Sequence, residues 1–326
     1  MLLHGLNGSG KTNLLEAMHV GTQGFSPRAR RDGMMIRFDA DAARVQLAGR
    51  LGDNAFATDV LLTRRDARKL ELNGERLSSS ERLRHELTTL VFTPDRLAVI
   101  KGGPATRRAY VDRVVGRLLP ARAALVNEYG SVVGQRNACL RRVRAGFSTR
   151  DALVPWTEKV VELGNALVHA RVDALELLSP AFAENAGELG LATATLRYDG
   201  EPPTAEDLAA RIDLDLDRGV TGAGPHLHDL RIEAGDRELR SFGSQGEQRM
   251  AVLALVLAEA DALRERLDVS PLVLLDDVLS ELDGDRRRSL ARMLELGVQT
   301  VVTATAAAAL PVEPAQALAV TPGRVR

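Results

Sequence analysis

The residues near the start of the chain limit its possible folds more than any other segment. Gly5-Leu6-Asn7-Gly8-Ser9-Gly10-Lys11-Thr12 follows a short apolar run and precedes a helical pattern. In this strand, loop and helix context the G-x-x-x-x-G-K-[ST] pattern binds phosphate, which argues against a chance glycine-rich turn. Glycines let backbone N–H groups converge on phosphates, and the helix directs its positive end at them.

The same loop predicts a nucleotide bound together with a metal ion. We expect Lys11 to contact the β and γ phosphates and to act in catalysis, and the Thr12 hydroxyl to ligate Mg²⁺. The predicted ligand is ATP with Mg²⁺. The residues assigned to it in the loop are Gly5, Leu6, Asn7, Gly8, Ser9, Gly10, Lys11 and Thr12.

Two aspartates follow an apolar run much later in the chain. The run is Pro271–Leu275 and the pair is Asp276-Asp277, which predicts a buried parallel strand whose C-terminal end meets the ligand. We expect Asp276 to hold Mg²⁺ through water, and Asp277 to orient or deprotonate the attacking water. Alone, such a pair is equally typical of a capped strand end; the loop at Lys11 favours the site.

A third phosphate-directed motif lies between them, at the start of a helical pattern. Ser244, Gly246 and Glu247 form a Ser-x-Gly-Glu sequence there, and a helix N-terminus favours anions. In isolation an ordinary N-cap explains it better. Together with Ser280-Glu281-Leu282-Asp283 after the aspartates, the order of motifs is typical of the ABC-type ATPase head. In such heads this motif reaches the γ-phosphate held by the opposite subunit, so two heads enclose two ATP molecules.

Composition and pattern give the wider organisation. The chain has 326 residues and a net charge of −1, so no basic excess points to nucleic acid. A lone cysteine, Cys139, excludes a disulfide framework and fits a reducing compartment. No apolar run reaches transmembrane length, and we expect a cytoplasmic protein.

The predicted fold class is α/β: a three-layer ABC-type P-loop ATPase head with a mostly helical inserted lobe. Strand patterns dominate up to Phe92 and return after Ala192, whereas helical spacing dominates from about Ala105 to Pro180. We place the first part of the head at 1–104, the helical lobe at 105–189, and the second part of the head at 190–326.

Six blocks of the chain form a wider pattern: Asn7–Ala17, Phe92–Leu97, Lys101–Pro104 with Arg107-Arg108 and Asp112, Gly224-Pro225-His226, Ser244–Arg249, and Leu274–Asp283. The second and third of these blocks are not general ATPase features. From residue 5 to about 305, and in family order, the chain resembles one family, RecF, the bacterial recombination-mediator ATPases of DNA gap repair.

The resemblance implies a function that composition does not. RecF-like proteins are similar to the heads of chromosome-cohesion ATPases but lack the long coiled coil. They bind double-stranded DNA near single-strand gaps as an ATP-closed homodimer, cooperate with RecR and RecO, help load RecA, and support replication restart and SOS induction. Their hydrolysis is weak and DNA-dependent, and it works as a release timer.

The chain also departs from the family pattern. The family carries strands before the P-loop that form part of the adenine pocket, whereas this chain begins at the loop's edge, which suggests a misassigned start or a fragment. After Gly224-Pro225-His226 the family continues Arg-Asp-Asp, and here Leu227-His228-Asp229 follows. ABC ATPases often have a histidine after the last core strand; here Thr303-Ala304-Thr305 stands there, and RecF-like chains commonly lack that histidine too.

Other classes of protein share part of this motif pattern. A transporter or SMC-like ATPase subunit shares the motifs, but a transporter cassette has a much shorter spacing than the 265 residues (276 − 11) from Lys11 to Asp276. A small-molecule kinase has no use for Ser244–Arg249. His226 and His228 alternate as a metal pair would, yet no third ligand stands nearby, so a loop-to-strand turn is favoured.

Three arginine-rich clusters are candidates for contacts with DNA phosphates, although such clusters are more often solvated faces. They are Arg28-Arg30-Arg31, Arg64-Arg65-Arg68-Lys69, and Arg136-Arg141-Arg142-Arg144.

Overall fold

The computed structural model describes residues 1–29, 31–295 and 298–326. Contacts divide them into two compact units. The first is Met1–Arg96, Glu188–Gly190 and Val252–Arg326; the second is Leu97–Gly187 and Leu191–Ala251. Residues 191–251 therefore group with the helical residues and not with the second part of the head, because ion pairs such as Arg107–Asp229 join them to the helices. The assignment of 1–104 and 190–326 to an ATPase head stays a prediction.

The strands and helices of the described residues are as follows. The strands are β1 (Leu2–His4), β2 (Ala42–Leu51), β3 (Asn54–Thr63), β4 (Lys69–Leu72), β5 (Glu75–Leu77), β6 (Thr89–Phe92), β7 (Ala194–Asp199), β8 (Asp229–Ala234), β9 (Arg237–Glu238), β10 (Leu272–Leu275), β11 (Thr300–Ala304), β12 (Ala317–Thr321) and β13 (Arg324–Val325). The helices are α1 (Lys11–Gln23), α2 (Glu81–Glu86), α3 (Ala98–Lys101), α4 (Pro104–Leu118), α5 (Leu125–Arg144), α6 (Val154–Glu188), α7 (Ala205–Ala210), α8 (Ile212–Arg218), α9 (Leu239–Phe242), α10 (Gln245–Leu267) and α11 (Gly284–Glu295).

A six-stranded sheet forms the centre of the first unit, in the order β13-β12-β1-β11-β10-β6. Its pairs are parallel except for β13, which runs antiparallel to β12 at one edge. Strands buried on both faces are apolar throughout, and Leu2 and Leu3 of β1 are fully buried. Because the strands are parallel, the residues after β1, β10 and β11 meet at one edge, where open α/β sheets bind ligands.

Helix α1 lies between this sheet and a second, antiparallel sheet of order β2-β3-β4-β5. Its Leu15 packs with residues of the central sheet such as Leu274, whereas its Val20 packs with Val60 and Leu72 of the second sheet. A two-residue hairpin turn at Asn73-Gly74 joins β4 to β5, with both residues at positive φ, the conformation for which Asn-Gly is the typical sequence. These successive layers confirm the predicted α/β class.

The second unit is mainly helical and contains an antiparallel sheet, β7-β8-β9. Tyr129, Val160, Leu167 and Leu208 form one apolar cluster among α5, α6 and α7. The helical and strand patterns predicted for this part of the chain are confirmed. Across the described residues, no helix has both the length and the hydropathy that crossing a membrane requires.

Candidate nucleotide-binding site

The loop after β1 closes around its own lysine. Lys11 Nζ donates hydrogen bonds to the carbonyl oxygens of Gly5 (2.7 Å) and Leu6 (3.0 Å), and Lys11 is only 9% exposed. Gly10 has a φ of +104° at the start of α1, a conformation that favours glycine. A Cβ at Gly5 would clash with the carbonyl oxygen of Val320. The geometry holds one ammonium group against the loop, and an ammonium has three donors.

The same loop contains a buried hydroxyl group, that of Ser9. Ser9 Oγ makes no hydrogen bond with the described part of the chain although Ser9 is 6% exposed. Buried polar atoms are normally paired, so an orphaned donor inside a loop of backbone N–H groups fits an anionic ligand such as phosphate.

The oxygen atoms predicted to hold Mg²⁺ lie together. Thr12 Oγ1 donates to Asp276 Oδ1 at 3.1 Å, and Asp276 is 4% exposed. A hydroxyl and a carboxylate are the hard oxygen donors that Mg²⁺ takes, and this ion normally completes its shell with water and phosphate oxygens. Within the described ranges no group of three or more His, Cys, Asp or Glu is placed to hold a metal ion.

Thr12 and Asp276 line one cleft of about 380 Å³ in the first unit. Asp277 follows Asp276 into the cleft, is exposed, and has a φ of +51°. The other residues that line the cleft are Asn7, Gly8, Gly10, Lys11, Asn13, Arg28 and Thr303. The cleft thus brings together the phosphate loop and the aspartate pair, although 265 residues separate Lys11 from Asp276 in the sequence. The role of each residue in binding nucleotide stays a prediction.

The sequence motifs did not predict two of the residues that line this cleft. Arg28 lies there, 3.8 Å from a Glu16 oxygen, although the sequence placed it in a candidate DNA cluster. Thr303 Oγ1 donates to Asp276 Oδ1 at 2.9 Å and accepts a bond from the Asp277 N–H at 2.8 Å. The position of Thr303 near the C-terminal end of a parallel core strand was the available signal.

The Ser244 motif belongs to the second unit and begins α10. Ser244 Oγ accepts a bond from the Glu247 N–H at 3.2 Å, and Glu247 Oε2 accepts one from the Ser244 N–H at 2.7 Å. This is a reciprocal capping box, which is the ordinary N-cap geometry that the sequence left open. Contact of Ser244, Gly246 and Glu247 with a nucleotide stays a prediction.

Two of the remaining family blocks, at 101–112 and 224–226, meet inside the second unit. Arg107, which is buried, pairs with both carboxylate oxygens of Asp229 at 2.7 and 2.6 Å. Arg171 pairs with Asp112 and donates to the Pro225 carbonyl oxygen at 2.7 Å. Bidentate arginine–carboxylate pairs fix geometry strongly. These blocks therefore serve the internal structure of this unit.

The two histidines of this region contact tyrosines. His226 Nδ1 lies 2.8 Å from Tyr129 Oη and its Nε2 lies 2.9 Å from the Thr221 carbonyl oxygen, while His228 Nδ1 lies 3.0 Å from Tyr198 Oη. Both ring nitrogens of His226 are engaged by the protein. The segment leads into β8, as the loop-to-strand interpretation predicts.

Burial, followed by the charge of Arg171, lowers the pKa of His228 from 6.5 to about 4. A folded-state pKa below the unfolded one favours the neutral ring, so stability is complete above pH 6.5 and falls as the pH drops toward 4. We expect His228→Asn to reduce the loss of stability between pH 7 and pH 5 in urea unfolding. Burial lowers the pKa of His226 too, so part of the loss remains.

The matched control is His169→Asn, at an exposed position on α6. An unaltered pH dependence in the His228 variant would contradict this assignment.

The arginine clusters have different environments. Arg136 is fully buried and pairs with Asp215 at 2.9 Å, so it is neither a DNA contact nor part of a solvated face. Arg68 pairs with Asp32 at 2.9 Å. Arg64 donates to the backbone carbonyl oxygens of Ile36, Arg37 and Ala40. Arg30 lies outside the described residues. Arg28 and Arg31, the described arginines of the first cluster, are exposed, whereas Arg68 of the second is half-buried and Arg136 of the third is buried. The clusters differ because burial and ion pairing depend on residues distant in sequence.

Comparison with known proteins first defines the class. Residues 1–320 match the RecF/RecN/SMC N terminal domain family. The solved SmcHead, bound to the C-winged helix domain of ScpA, has a TM-score of 0.59 at 17% identity and covers 100% of this chain and 88% of its own. That likeness shows the fold alone. The fold and the cleft define an ABC-type ATPase head of this class.

Two further matches are more specific. The DNA replication and repair protein RecF of Heliobacterium modesticaldum is 33% identical over 315 residues, which is 92% of this chain and 85% of that protein. The solved structure of the recombination mediator protein RecF-ATP of the RecFOR pathway has a TM-score of 0.84 at 27% identity, over 100% of this chain and 90% of its own. The chain belongs to the RecF family, as the resemblance predicted.

Proposed function

We propose that this chain is an ATP-dependent DNA-binding protein of recombinational gap repair and replication restart, acting in the RecFOR pathway. The observation that carries the proposal is the hydrogen bond from Thr12 to Asp276, which joins the phosphate loop to the aspartate strand. The names of the relatives, DNA replication and repair protein RecF and recombination mediator protein RecF-ATP, support ATP as the nucleotide and DNA as the partner.

The division of roles in the cleft follows from charge and geometry. Backbone N–H groups of the loop and the Lys11 ammonium bind the phosphates. Thr12 and Asp276 hold Mg²⁺, which when bound neutralises phosphate charge. Asp277 accepts a hydrogen bond from the attacking water and orients it toward the γ-phosphate.

ATP binding controls assembly in this proposal. Two copies close as a homodimer in which Ser244, Gly246 and Glu247 of each chain contact the γ-phosphate held by the other. The closed pair binds double-stranded DNA near single-strand gaps, cooperates with RecR and RecO, and helps RecA loading and SOS induction. Slow, DNA-dependent hydrolysis opens it again. Such a protein works with the chromosome in the cytoplasm.

The test measures dimerisation and DNA binding, each with and without ATP. We expect sedimentation of the chain with Mg²⁺-ATP to show a dimer, and binding of gapped duplex DNA to be tighter with ATP than without it. A chain that binds ATP but neither dimerises nor gains DNA affinity would overturn the proposed ATP-gated clamp. The family match disfavours the transporter alternative.

Asp277→Asn is expected to bind ATP normally but to hydrolyse it roughly tenfold more slowly, because the hydrogen bond that the attacking water donates then goes to a neutral amide oxygen instead of a carboxylate. Asparagine tolerates positive φ, so the backbone at +51° is kept. The dimer should stay closed longer, which dissociation kinetics after ATP dilution measure. Asp285→Asn, at an exposed position of α11, is the control. A shortened dimer lifetime would show that Asp277 is not the water-orienting group.

A further inference from the structure

One hydroxyl group touches both aspartates of the cleft. Thr303 Oγ1 donates its proton to Asp276 Oδ1 at 2.9 Å and accepts a hydrogen bond from the Asp277 N–H at 2.8 Å. A threonine hydroxyl has one donor and two acceptor sites, so the Thr303 hydroxyl can donate one hydrogen bond and accept the other at the same time. Thr303 is 0% exposed, which keeps water from replacing either bond.

The sheet puts Thr303 in this position. β11 runs parallel to β10, and Leu275 pairs with Val302, so the next residue of each strand follows in step. This brings the Thr303 side chain to Asp276 where β10 ends. The contact depends on the register between the two strands, and a slip of one residue would turn this hydroxyl to the other face of the sheet.

The bond to the Asp277 N–H fixes the peptide plane between Asp276 and Asp277. Asp277 has a φ of +51°, which is uncommon for a residue other than glycine and persists when surrounding contacts hold it. The Thr303 bond is a contact of this kind on the N-terminal side of Asp277, because it sets the plane from which the chain turns. The direction of the Asp277 side chain depends on that plane and on φ.

The bond to Asp276 acts on the carboxylate. Oδ1 accepts from Thr303 and also from Thr12 at 3.1 Å. Two hydroxyls on a single oxygen fix the rotation of the carboxylate, which leaves Oδ2 for a metal ion or its bound water. An aspartate side chain held in this way loses little rotational freedom on ligand binding.

We propose that Thr303 is a positioning residue that couples the metal-binding Asp276 to the water-orienting Asp277. Its hydroxyl holds the carboxylate of one and the backbone of the other, so the two groups keep one relative geometry while nucleotide enters and leaves. This proposal rests on the proposed ATPase function of the cleft. It assigns Thr303 no contact with nucleotide.

The first experiment compares Thr303→Val, which has nearly the same shape without the hydroxyl, with Thr303→Ser, which keeps it. Single-turnover ATP hydrolysis should fall roughly tenfold in the valine variant, the usual effect of losing a hydrogen bond to a charged group, and serine should restore most of the rate. ATP affinity without Mg²⁺ should be the same in both variants, because the phosphate loop is untouched. Thr300→Val is the matched control, since it removes another buried hydroxyl of β11, one that donates to the Val298 carbonyl oxygen and not to either aspartate.

A valine variant that hydrolyses ATP at the wild-type rate would overturn the proposal. A serine variant as slow as the valine variant would do the same, since loss of the hydroxyl would not then be the cause.

The second experiment needs no nucleotide. In a double-mutant cycle of Thr303→Val and Asp276→Asn, urea unfolding reports the coupling between the two side chains. We expect Thr303→Val to lower the unfolding midpoint less in the Asp276→Asn background than in the wild type. Additive effects would overturn the claimed contact. Failure of the wild-type chain to bind ATP would instead overturn the proposed function, while the cycle still decides whether Thr303 holds Asp276.

Discussion

Lys11→Ala is expected to abolish nucleotide binding, or to weaken it by about 2–4 kcal/mol, because a charge-assisted contact with phosphate and the geometry that supports it are both lost. The structure gives the second part of that reason. Lys11 Nζ holds the carbonyl oxygens of Gly5 and Leu6, so truncation also removes two internal bonds of the loop. Loosened N–H groups bind phosphate less well, since ordering them then costs conformational entropy.

Titration with a fluorescent ATP analogue measures this effect directly. Lys159→Ala is the matched control, because it removes an equal charge from an exposed lysine whose partner is Glu162. Unchanged affinity in the Lys11 variant would refute the phosphate-loop assignment.

Ser244→Arg is expected to leave ATP binding to the monomer nearly intact while blocking ATP-induced dimerisation. In the proposed dimer Ser244 faces the γ-phosphate bound by the other chain, and an arginine there fills the interface with its bulk. DNA affinity in the presence of ATP should fall with it, since a closed pair presents two copies of the DNA-contacting face.

The substitution also removes the capping box between Ser244 and Glu247, which costs about 1 kcal/mol of stability. The chain offers a matched control for that cost. Thr204 and Asp207 form a capping box at the exposed start of α7, so Thr204→Arg adds equal bulk and removes an equivalent cap in the same unit. Sedimentation with and without ATP should show dimers for the wild type and for Thr204→Arg only. A Ser244→Arg chain that still dimerises would refute the enclosed-nucleotide arrangement.

Short-range patterns were sufficient for much of the fold. The loop from Gly5 to Thr12, the strand before Asp276 and the Asn73-Gly74 hairpin each depend on a few adjacent residues, and all three local structures are present. Near the C-terminus the pattern was too weak. Ala317–Thr321 forms β12 beside β1, but its short mixed sequence carries no periodicity that distinguishes it from a loop.

Side-chain environments were harder to predict than elements. Arg136 stands in an arginine-rich helical stretch that suggests solvent or DNA, yet it is buried against Asp215, 79 residues away. Arg28 has the same sequence character and lines the nucleotide cleft. A charge pattern reports the residue type only, whereas burial and pairing depend on what the rest of the chain places opposite it.

The sequence by itself determined the class of chemistry, because a phosphate loop followed by an aspartate strand needs particular residues at local spacing. Only the tertiary structure decided which groups share the cleft. Thr12 meets Asp276 and Thr303 meets both aspartates because β1, β10 and β11 lie parallel in one sheet. Strand order and register depend on packing among segments hundreds of residues apart, which no local pattern specifies.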